Sequence, residues 1–162
     1  MNITQNHIEK AQFDSSFPYV NVFDWFTYTW LCSYQRFVSA RIDSDFTLID
    51  FLISIQKNDP SNPHYSVDEW LVNCEIVTID KLEVEKYISI AKSDFEEEKG
   101  NKYSNVEGVD FPLKEGFPSK IDEAIMLKGN KSPCNKHSAG PTHIIAWRDW
   151  EWLYYLEIHN ES

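Results

Sequence analysis

Glycine is scarce in this chain, with five in 162 residues, and none of them forms a phosphate-cradling or nucleophile-bearing pattern. No GxGxxG, no P-loop run, no GxSxG and no DxDxDG occurs. Rossmann and P-loop nucleotide binding, elbow-type serine hydrolases and EF-hand calcium binding are therefore set aside. Cysteine is equally sparse. Cys32, Cys74 and Cys134 are odd in number and far apart, which fits reduced thiols in a cytosolic protein better than a disulfide framework. Long apolar runs are missing too: a stretch such as Phe51 to Ile55 is far too short to cross a bilayer. The first residues, MNITQNHIEK, lack the basic start and continuous apolar core of a secretory signal, so the expected location is the cytoplasm, with no membrane contact.

Basic side chains are outnumbered, with 15 Lys and Arg against 26 Asp and Glu and a formal net charge of −11. The excess is concentrated: residues 1 to 98 hold 17 acids and 7 bases, residues 99 to 162 hold 9 and 8. Nucleic acid requires the opposite sign and is not an expected partner, whereas a basic protein is electrostatically welcome.

Against these shortages stands an abundance of aromatics: six Trp, eight Tyr and ten Phe. Such side chains supply core volume and rigid, low-entropy contact area, the properties of a folded binder. With 42% apolar and 25% charged residues the chain reads as one globular domain spanning residues 1–162, with enough core to fold without a metal or cofactor.

The clearest element runs from Asp80 to about Lys99. Val84, Tyr87, Ile88, Ala91 and Phe95 recur at helical spacing, Asp80 with Glu83 has the spacing of a capping box, and Gly100 is suited to end the helix. Trp70 to Ile79 has the β-branched content of a buried strand feeding that helix, although Ser66 could instead cap a helix from Val67. Two further helices are predicted, one from Asp24 along Phe26, Trp30, Tyr34, Phe37, Val38 and Arg41, the other from about Ser44 to Lys57. Ile121 to Leu127 reads as a short helix in an otherwise irregular stretch from 100 to 141. The aromatic C-terminus reads as a hairpin of His143–Arg148 with Trp152–Ile158, which places Trp152, Tyr154, Leu156 and Ile158 on one face. The expected fold is α+β: N-terminal helices and one amphipathic central helix packed on a mainly antiparallel sheet that includes the C-terminal hairpin.

Chemistry-bearing clusters are thin. Cys134, His137 and His143 could supply a thiolate and two imidazoles to zinc, but the spacing matches no standard site and no metal is expected. Cys32 and Cys74 lie on apolar faces and read as small core residues, and no Cys-His nucleophile signature surrounds any cysteine. Acid pairs such as Asp43 with Asp45, Asp68 with Glu69 and Asp122 with Glu123 arise readily among 26 acids. The run Asp94-Phe95-Glu96-Glu97-Glu98 is different, because acids at a helix C-terminus oppose the helix dipole.

In size, acidity and absence of catalytic motifs the whole chain resembles bacterial toxin-immunity proteins. The resemblance implies a protein that binds a cognate toxin domain, often a basic nuclease, and blocks its active or substrate surface. Expected contact residues are Asp94, Glu96, Glu97 and Glu98 for charge, with Trp147, Trp150 and Trp152 as aromatic anchors where exposed. The alternatives are a small hydrolase, carboxylate-based or metal-assisted, and an acidic nucleic-acid mimic. A deep pocket of converging acids would mark the first, and acids spaced like phosphates along one face the second.

Overall fold

A computed structural model describes residues 1–10, 19–30, 33–42, 47–57, 71, 72, 74–100, 109–114, 117, 118, 120–128 and 142–159. Its elements are α1 (Gln5–Lys10), β1 (Tyr19–Trp30), β2 (Ser33–Ile42), α2 (Leu48–Lys57), β3 (Glu75–Thr78), α3 (Lys81–Glu97), β4 (Glu123–Lys128), β5 (Thr142–Asp149) and β6 (Trp152–His159). The six strands form one sheet in the order β1-β2-β6-β5-β4-β3, and every neighbouring pair is antiparallel. This is the expected α+β class, with the C-terminal hairpin at the centre of the sheet.

Both faces of the sheet are covered. On one, α1 and α2 pack Ile8, Leu48, Phe51, Leu52 and Ile55 with Val38, Ile76, Ile125, Ile144, Leu153 and Tyr155. On the other, Val84, Ile88 and Ala91 of α3 pack with Phe37, Met126, Ile145, Trp147, Leu156 and Ile158. The alternation read in the hairpin holds: Tyr154, Leu156 and Ile158 face α3, while Leu153 and Tyr155 face α2.

Covering both faces also explains where the sequence misleads. The predicted helix from Asp24 to Arg41 is instead the β1–β2 hairpin, in which Asp24 forms an ion pair with Arg36. Residues 33–38 are buried without interruption, so a strand sandwiched between two layers loses the period-two signal and its aromatics fall by chance at helical spacing. The same cause turns the predicted helix at Ile121–Leu127 into β4: Ala124, Ile125, Met126 and Leu127 are all buried between β3 and β5, and sheet context overrides their helical propensity. The strand expected over Trp70–Ile79 shrinks to Glu75–Thr78. Before it, the Leu71 carbonyl accepts the Cys74 N–H at 3.0 Å. α2 begins at Leu48, within the predicted span, while residues 43–46 and the loop after Lys57 lie outside the described residues.

Helix α3 starts as its sequence implies. The Asp80 carboxylate accepts the Glu83 N–H at 2.8 Å, filling one of the donors that a helix N-terminus leaves open. Its C-terminus departs from expectation: the cap is Glu98 in right-handed conformation, and the chain continues into a short 3-10 turn through Gly100. Asp80→Ala is expected to cost about 0.5–2 kcal/mol in urea melts, with no change in the dependence of stability on denaturant.

The β5–β6 turn places Trp150 at φ 56°, a left-handed conformation that costs a bulky residue energy. Two contacts hold it there. The Trp150 N–H donates to the Asp122 carboxylate at 2.7 Å, and Arg148 donates to the Trp150 carbonyl. Fixed side-chain partners thus replace the glycine that such a turn ordinarily uses.

Candidate functional site

β1 ends the sheet, and its composition makes that edge unusual. Across Tyr19–Trp30 there is neither Lys nor Pro, the residues that commonly protect an open edge, and Asp24 is the sole charge. Asn21, at φ 53°, lies where the register shifts between Val20 and Phe23, and a second shift separates Tyr28 from Trp30. Between them, Phe23 to Tyr28 pair regularly with Ser39 to Tyr34.

Strand alternation sends Trp25 inward onto Phe95 and Phe111, with ring centroids 5.8 and 6.3 Å away. Val22, Phe23, Phe26 and Tyr28 remain between 38% and 49% exposed. Among the described residues eight large hydrophobic side chains are exposed, and these four share one edge strand. Phe23 shares the α3-facing side with Trp25, whereas Phe26 and Tyr28 alternate to the other side, so the edge strand exposes rings on both sides of the sheet. The rings are braced from behind: Phe26 stacks on Tyr34 at 5.4 Å, and Phe23 lies 6.3 Å from Phe37.

The acidic end of α3 lies beside this strand. The Trp25–Phe95 contact and a 2.7 Å hydrogen bond from Gln35 Nε2 to the Ala91 carbonyl place the last two turns of α3 against β1 and β2. Glu96 and Glu97 are exposed, and Asp94 and Glu98 are half-buried. No basic residue occupies the last turn, and Lys99 lies over the Phe95 ring at 5.4 Å. Among the described residues no ion pair reaches Asp94, Glu96 or Glu97. Burial, with repulsion from Glu97 and Glu98 added, raises the Asp94 pKa above the usual carboxylate value.

The sign of that shift sets a pH dependence. A raised folded-state pKa means that the folded form binds the proton more readily, so Asp94 opposes stability once pH rises through the folded value. Asp94→Asn is accordingly expected to stabilise the fold slightly at pH 7, with the difference shrinking as pH falls through the raised folded value and gone below the unfolded carboxylate value near 3.8. Thermal melts of both proteins across pH 3 to 7 measure it.

The other sequence-predicted residues are dispersed. Trp147 is fully buried against Phe37, Phe117 and Tyr154 and presents no surface. Trp150, 75% exposed, stands at the β5–β6 turn, and Trp152 is half-buried beside it. His143 packs on the Tyr87 ring at 5.1 Å, and burial with the Lys86 charge lowers its pKa. Cys134 and His137 lie outside the described residues, among which no group of three metal-binding side chains gathers. Cys74 is buried and its thiol is pushed up to about 12 by desolvation, an unreactive state.

A polar cluster that the sequence does not announce lies under α2. Glu157 accepts from the hydroxyls of Tyr34 and Tyr155 and from Gln56 Nε2. Arg36, its direct cross-strand partner on β2, forks onto Asp24 at 2.8 and 3.1 Å. His159 stacks on Tyr34 at 5.2 Å and shares a 2.8 Å hydrogen bond with Thr142. A carboxylate, two phenols and an imidazole are an acid-base set in composition, but each is at most 4% exposed, which leaves no room to admit a substrate. The cluster ties β2, β6 and α2 together. Its members are spread from position 24 to 159, so only the fold brings them into one place.

Comparisons with protein-family models, curated proteins and solved structures give no match for this chain. No helix among the described residues is long and apolar enough to cross a membrane.

Proposed function

We propose that this chain is an immunity-type inhibitor that binds a cognate bacterial toxin domain and neutralises it by covering a basic functional surface. The observation that carries this reading is the meeting of two features at one edge of the molecule. An edge strand that exposes Phe23 on its α3-facing side and Phe26 and Tyr28 on the other adjoins the acidic end of α3, Asp94, Glu96, Glu97 and Glu98. Aromatic side chains flanked by charge are the composition of a protein-binding surface, in which rings slow release and the charged rim speeds encounter. The net charge of −11 extends the same attraction toward a basic partner.

A cytoplasmic encounter with that toxin is part of the proposal, as is the absence of a reaction catalysed by the chain itself. The test begins with the product of the adjacent reading frame, since an immunity gene is expected beside its toxin. Co-expression should relieve growth arrest caused by that product, and the purified pair should associate more slowly as salt rises. Turnover of a small molecule by the purified chain, with no protection and no complex, overturns the reading.

A further inference from the structure

A cleft of about 300 Å³ opens between α3 and the facing residues Phe111, Leu113, Lys114 and Phe117. From it we infer a binding site for a small organic anion with an aromatic body. Its walls are Ile88 from the helix and Phe111, Leu113 and Phe117 from the facing segment. Each phenylalanine is fixed from behind by two core rings. Phe111 packs on Trp25 and Phe95, at 6.3 and 5.6 Å, and Phe117 packs on Trp147 and Tyr154, at 6.3 and 5.0 Å. The apolar walls are therefore preformed, and an entering ring need not reorganise them.

Charge selects the ligand. Lys92 lines the cleft from α3 and Lys114 from the opposite wall. Among the described residues neither has an ion-pair partner, in a chain whose acids outnumber its bases 26 to 15. Ser89 adds a hydroxyl one turn before Lys92. The single acid in the lining, Glu85, stands seven residues before Lys92, roughly 10 Å along the helix axis, and pairs with Lys81 at 3.9 Å. Lys92 and Lys114 thus offer one ammonium group from each wall beside an aromatic floor, which suits an aryl-alkyl carboxylate whose ring meets Phe111 and Phe117 while its carboxylate meets an ammonium group.

The probes are 3-phenylpropionate and its uncharged amide, titrated into ¹⁵N-labelled protein. The carboxylate should give saturable shifts confined to residues 85–92 and 109–118. The amide should bind at least about tenfold more weakly, as should the carboxylate to a Lys92→Ala, Lys114→Ala double variant. Both lysines are on the surface of the cleft, and an unchanged thermal melt verifies the variant's fold. Absence of saturable shifts, equal binding of the amide, or undiminished binding by the folded double variant would each overturn the inference. None of these outcomes bears on toxin binding at the β1 edge.

Discussion

Replacing Glu157 by alanine is expected to destabilise the protein by roughly 3–5 kcal/mol, the largest effect of any single polar substitution among the described residues. Three donors converge on this one side chain, from Tyr34, Tyr155 and Gln56, and all four residues are buried. Removing the carboxylate strands donors away from water, at about 1–3 kcal/mol each before relaxation. Gln56 and Tyr155 remain in contact with each other, which offsets part of the loss. Glu157→Gln retains the volume and one acceptor oxygen and should recover about half. Urea melts of both variants, with Tyr34→Phe and the Glu157→Ala, Tyr34→Phe pair, measure the coupling, expected near 1.5–3 kcal/mol for a bond to a charged acceptor. A loss under about 1 kcal/mol for Glu157→Ala would show that the cluster does not hold β6 to α2 and β2.

Reversing Glu96, Glu97 and Glu98 to lysine is expected to slow association with the basic partner by about 10- to 100-fold at low salt, with a much smaller change in dissociation. The fold itself should not suffer. Lysines at the C-terminal end of α3 complement the helix dipole that the native acids oppose, so the melt should be unchanged or slightly higher. Opposite signs for stability and association separate a lost steering field from a damaged fold. The aromatic half of the proposed surface has a different signature: Phe23→Ala and Phe26→Ala should act mainly on dissociation, each by more than about 1 kcal/mol if they are central anchors. A charge reversal that leaves the association rate and its salt dependence untouched would remove the acidic end of α3 from the proposed interface.

The reversal also bears on which aromatic residues matter. Composition draws attention to the tryptophans of the C-terminal stretch, yet Trp147 lies at the centre of the α3-facing core. Beside Trp150 at its turn, the other exposed rings belong to β1, in a segment whose spacing from Asp24 onward reads as helix. Its content of Val, Thr and aromatics, with one charge in twelve residues, was the available signal for a strand. What spacing cannot express is which strand will lie at the edge, because that follows from β2 choosing β6 as its second neighbour, more than a hundred residues away.

Local chemistry by itself determined the α+β class, helix α3 with its Asp80 cap, the C-terminal hairpin and the acidic character of the chain. Each rests on interactions within a few residues: a capping carboxylate three positions from its N–H, an apolar stripe of one period, two strands joined by a short turn. Only the tertiary structure decided that residues 26–30 and 33–41 are extended, that Ala124 to Leu127 is a strand, that Glu157 gathers two phenols and an amide, and that the aromatic edge adjoins the acidic helix end. The physical reason is the same in each case. A sheet covered on both faces erases the periodicity that sequence displays, and burial then favours whatever backbone lets distant strands complete their hydrogen bonds.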